Sequence, residues 1–152
     1  MRIWIAFACL AVLPFIGVCA ESHGVEAIFG NWTVAKVLPT NAISALTTAG
    51  ANAYIGKRVV FGRARASFGQ AVLASPIYKE AAVTAETFFD RTHIALDQIG
   101  IRTVQAREIT VYQSPGKLWS EPVRYILVKD NDHLIVGYKG TFWELRRSTN
   151  RR

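Results

Sequence analysis

From residue 21 onward, the hydrophobic and polar positions of the chain alternate more often than they follow a helical period, and this predicts a protein built mainly of strands. Residues 32–37 (Trp-Thr-Val-Ala-Lys-Val) are rich in β-branched side chains and end near Pro39. Residues 59–68 read as one alternating strand, with Val60, Gly62, Ala64 and Ala66 on one face and Phe61, Arg63 and Arg65 on the other. Residues 77–89 carry a mixed strand pattern of Val, Thr and Phe, and residues 104–112 another, with Ile109 and Val111 sharing a face.

The last third has the clearest pattern. Residues 123–128 run into the turn cluster Asp130-Asn131-Asp132, residues 134–138 return, and Lys139-Gly140 turns into a final strand over 141–147. Short turns between strands make neighbours antiparallel, so a three-stranded meander is expected. Two short helices interrupt the strands. Thr47-Thr48 can cap one that stops at Gly56, and Thr92 can cap one over 94–99 that stops at Gly100. Seven or eight strands with two small helices predict an antiparallel barrel or a strongly curved sheet, because closure removes exposed edges.

Before this domain comes a different kind of segment. Met1-Arg2 is followed by uncharged, mostly apolar residues 3–18, then Val18-Cys19-Ala20, then polar Glu21-Ser22-His23. A membrane span needs roughly 20 apolar residues, whereas a cleavable secretory signal has a shorter apolar centre and small residues at its cleavage site. Residues 1–20 are therefore expected to be a signal peptide cleaved after Ala20, with residues 21–152 forming one exported domain. An uncleaved anchor, or a lipoprotein acylated at Cys19, are the alternatives, and Val18 is bulky for the latter. Export means the periplasm in a Gram-negative bacterium and the extracellular space otherwise.

Both cysteines, Cys9 and Cys19, fall in the leader, so the processed domain has no disulfide, thiol nucleophile or Cys-based metal site. The chain carries 18 Lys and Arg against 11 Asp and Glu, and loss of Arg2 with the leader lowers its formal charge from +7 to +6. Such a domain is attracted to anionic surfaces or acidic partners. Its charges are scattered, apart from Arg146-Arg147 and Arg151-Arg152, and no nucleic-acid motif is present.

Gly30-Asn31-Trp32, at the start of the first strand, resembles the opening of lipocalins. The resemblance implies a small ligand-carrying barrel in which Trp32 closes one end beneath an Arg from the last strand, here Arg146 or Arg147. It covers only the two ends of the domain, and the ligand does not follow from it.

Candidate chemistry is sparse. The sequence lacks the zinc-protease, nucleophile-elbow and phosphate-loop motifs, and no cofactor is expected. His93 and Asp97 stand four apart on the expected second helix, and His133 follows a turn. Glu26, Glu108 and Glu144 show no pairing typical of glycosidases. Asn31-Trp32-Thr33 matches a glycosylation acceptor, but on a strand that is hard to reach. Cleavage after Ala20 would make His23 the third residue, which with the free amine and two amides can form a square-planar Cu(II) or Ni(II) site.

Arg63 and Arg65 are expected to face outward; facing inward, they would need an anionic ligand. Exposed loops are expected over 38–48 and 112–122, the latter holding Lys117 and an exposed Trp119. The first reading is a non-catalytic exported binding protein for a small apolar or envelope-derived ligand. The second is an inhibitor or immunity-type protein that holds an exported hydrolase through its loops.

Overall fold

The computed structural model describes residues 24–39 and 43–149; the expected signal peptide over 1–20, His23 and Arg151-Arg152 lie outside them. A 3-10 turn over Val25–Ile28 leads into β1 (Gly30–Leu38). Then follow α1 (Thr48–Asn52), β2 (Arg58–Phe61), β3 (Arg65–Phe68), β4 (Ala71–Ala74), β5 (Ile77–Thr84) and α2 (Ala85–Thr92). The rest comprises β6 (Gln105–Ser114), the short β7 (Lys117–Leu118), β8 (Tyr125–Val128), β9 (His133–Tyr138) and β10 (Thr141–Arg147).

All pairings are antiparallel, in the order β4-β3-β2-β1-β10-β9-β8-β6-β5, with β7 folded back on β6. Taken outward from β1, the order follows the chain on both sides: β2, β3 and β4 lie in sequence on one, β10, β9, β8, β6 and β5 on the other, and the first strand pairs with the last. The sheet is strongly curled into a half-barrel. Its two ends, β4 and β5, are not paired with each other, although only Ser75-Pro76 separates them along the chain. A side chain ties the seam instead: the Tyr78 hydroxyl on β5 donates to the Gly62 carbonyl at 3.0 Å and accepts from the Gly62 amide at 3.2 Å. Burial pushes the Tyr78 hydroxyl pKa up to about 12, against the lowering effect of the Gly62 bond, so Tyr78 stays a neutral strut.

The sheet buries both faces. Its interior holds Trp32, Phe61, Ile109, Ile126, Trp143 and Leu145 among others. A second core on the outer face joins Val83, Ala106, Leu127, Ile135 and Phe142 to Phe88 of α2 and to Leu96 and Ile99 of a 3-10 turn. Strands buried on both sides lose alternation, which is why residues 125–128 and 134–136 read as continuous apolar runs. For the same reason Phe142 and Glu144, which alternate with Trp143 and Leu145, are buried as well.

Three expected elements differ. Residues 59–68 form two strands rather than one, because the chain turns at residues 62–64. The turn resets the parity: Phe61 and Ala66 both face the interior, while Val60 and Gly62 are only half-buried and Ala64 is exposed. The strand expected over 77–89 stops at Thr84, whose hydroxyl accepts from the Thr87 amide at 3.1 Å and so caps α2. The helix expected over 94–99 shrinks to a 3-10 turn, Leu96–Ile99, ending at Gly100 as expected. His93 is the left-handed C-cap of α2, so His93 and Asp97 do not share a helix face.

Candidate functional site

Trp32 sits wholly buried at the start of β1, where its indole N–H donates to the Ile28 carbonyl at 2.8 Å. The Arg147 guanidinium lies 4.1 Å from the Trp32 ring centroid, and β1–β10 register places the two residues opposite each other. Arg147 also donates to the carbonyls of Ala27, Phe29 and Asn131 at 2.8–2.9 Å, binding the entry turn to the last strand. Gly30 has φ +134°, and a Cβ there would come within 2.9 Å of Arg147 Nη1. The Gly-x-Trp spacing thus has a local cause: the glycine makes room for the arginine that covers the tryptophan. Arg146, one residue earlier, is exposed on the outer side, within 4.0 Å of Glu144.

Side chains fill the interior. Trp143 donates to the Ala51 carbonyl of α1 at 3.0 Å and meets Tyr54 edge-on at 5.2 Å. Trp119, expected to be exposed, is only 4% accessible and belongs to this core, because the backbone bond from its amide to Val111 turns it inward. Lys117 stays exposed on β7. Arg63, 84% exposed, pairs with Glu26 at 3.2 Å, and Arg65 is exposed; neither faces the interior. No group of His, Cys, Asp and Glu suited to a metal occurs among the described residues, and no described helix is long and apolar enough to cross a membrane.

The concave site lies on the opposite side of the sheet. A cleft of about 330 Å³ opens on the outer face between α2 and strands β6, β8, β9 and β10. Its apolar floor is Leu127 and Phe142, with Phe88 as one wall; Phe88 and Phe142 meet edge-on at 6.0 Å. Gly137 lets Phe142 lie flat across β9, since a Cβ there would come within 2.7 Å of the ring.

The polar rim comes from Arg91, Glu108, Arg124, Tyr125, Tyr138 and Lys139. Arg91 and Glu108 form a two-pronged ion pair, with Arg91 Nη1 donating to Glu108 Oε1 at 3.0 Å. That hydrogen bond raises the Arg91 pKa despite partial burial, and the two side chains satisfy each other. The Arg124 guanidinium lies near the rings of both Tyr125 and Tyr138, at 5.5 and 5.6 Å, and its Nε is enclosed with no hydrogen-bond acceptor.

The cleft was not legible in the sequence. It joins residues from four strands and a helix whose first part, to Phe89, was expected to be strand, and the one available signal was the loss of alternation at residues 125–128 and 134–136. Comparison with protein-family models, curated proteins and solved structures finds no match for the chain.

Proposed function

We propose that the chain is an exported, non-catalytic binding protein of lipocalin-like architecture whose small, largely apolar ligand docks in the outer-face cleft rather than in the barrel. The observation that carries this reading is the cleft itself, an open apolar hollow on a sheet whose interior is occupied by Trp32, Trp119 and Trp143. Binding sites are typically concave and apolar with a few placed polar groups, and the cleft has that composition. The antiparallel curled sheet, with its first strand paired to its last, and the arginine stacked on Trp32 support the architectural comparison. The mutual pairing of Arg91 and Glu108 supports binding over catalysis, since neither is left as a proton donor or acceptor for a substrate.

A neutral naphthylamine dye, which brightens in apolar surroundings, tests the reading. Thr92 lines the cleft, and Thr92→Trp would fill it. The unaltered protein should enhance the dye's emission and Thr92→Trp should lose most of that enhancement, whereas Val72→Trp, on exposed β4, should keep it. Full enhancement by Thr92→Trp would refute the cleft as the site.

One observation favours the inhibitor reading. Ile43, in the segment 38–48, is 97% exposed. The residues that follow it are nonetheless pinned: Ala45 donates to the Lys139 carbonyl at 3.0 Å, and Ser44 bonds the Thr141 hydroxyl. An apolar side chain held out beside anchored residues is suited to insertion into a partner's pocket.

A further inference from the structure

Resting on the reading of the cleft as the binding site, we infer that its ligand carries a carboxylate on an apolar body, with the carboxylate received by Arg124 and Lys139. The charges around the cleft are unequal. Arg91 is neutralised by Glu108, which leaves Arg124 and Lys139 as rim cations that no described carboxylate pairs. Arg124 is also held in place. The rings of Tyr125 and Tyr138 lie beside its guanidinium, and its Nε is enclosed without a hydrogen-bond partner. Lys139 stands in the β9–β10 turn, its Nζ 5.3 Å from the Tyr138 ring centroid, on the same rim.

A guanidinium without a counterion, partly enclosed by aromatic rings, favours a planar anion that accepts two parallel hydrogen bonds. The ammonium of Lys139 adds a point charge that needs no fixed geometry. The floor of Leu127 and Phe142 and the wall of Phe88 then cover the ligand's apolar portion. A cationic ligand would meet two uncompensated positive charges, and a neutral one would leave both without a partner.

Calorimetric titration with three ligands that share one apolar body tests this: phenylbutyrate, phenylbutanol and phenylbutylamine. The protein should bind phenylbutyrate about tenfold or more tightly than phenylbutanol, as charge-assisted hydrogen bonds require, with phenylbutylamine the weakest. Arg124→Gln should bring the acid to the level of the alcohol while leaving the alcohol unchanged, which also shows that the cleft still folds. Lys139→Gln, in an exposed turn, should reduce the preference for the acid severalfold. Equal binding of acid and alcohol by the unaltered protein would overturn the carboxylate inference and leave the cleft reading standing. So would an acid preference that survives both substitutions. Failure of all three ligands to bind would overturn the inference and the cleft reading together.

Discussion

At the scale of single residues, the arrangement at Gly30, Trp32 and Arg147 shows how a short motif acquires its meaning. Trp32 is a wholly buried aromatic with a satisfied N–H, covered by a cation that itself holds three carbonyls. Truncation to alanine removes the ring and leaves the Arg147 guanidinium above a void. Trp32→Ala should therefore cost about 3–5 kcal/mol in denaturant unfolding; a loss below about 1 kcal/mol would mean that the surroundings collapse to fill the space. The motif was legible in the sequence because its three residues are adjacent. The choice between Arg146 and Arg147 was not, since it depends on β1–β10 register, which places Arg147 opposite Trp32 and turns Arg146 to the outer face. Trp119 was misjudged for a related reason: a loop tryptophan reads as exposed until β7 folds back on β6 and carries it inward.

Glu144 acts at the scale of elements. It lies on β10 with 3% exposure, opposite Lys36 of β1 in the ladder, and accepts from Lys129, just past β8, at 2.9 Å. One carboxylate thus joins three parts of the sheet on its outer side. Burial alone would raise its pKa, but the hydrogen bond and charge of Lys129, the charge of Lys36 and the charge of His133 together hold it below the ordinary value of 4.5. Arg146, 4.0 Å away, faces the same carboxylate. Because the folded pKa is depressed, the stabilisation is complete above the unfolded value and is lost as pH falls through the folded one. Melting temperatures of the protein and of Glu144→Gln should differ most above the ordinary carboxylate value and converge as the pH falls below it. A constant difference across that range would show that Glu144 contributes by shape rather than by charge. The α2 boundary also belongs to this scale. The sequence pattern over 77–89 reads as strand throughout, and only the Thr84 hydroxyl bond to the Thr87 amide marks where helix takes over.

For the whole molecule, the antiparallel meander was legible because short turns and alternating runs record which strands are neighbours. What alternation could not record was the second core. An outer layer formed by α2 and the 3-10 turn Leu96–Ile99 buries the reverse face of the sheet, and the cleft opens between α2 and the strands beneath it. The interior is a packed core, and the proposed ligand therefore belongs to the outer face. Amide and indole chemical shifts, followed by NMR while the neutral naphthylamine dye is added, test it most directly. Signals from Leu127, Gly137, Lys139 and Gly140, which line the cleft, should move in a saturable way, while the indole N–H signals of Trp32 and Trp143 stay in place. Movement of the two indole signals with the cleft glycines unchanged would place the ligand inside the barrel and contradict the account.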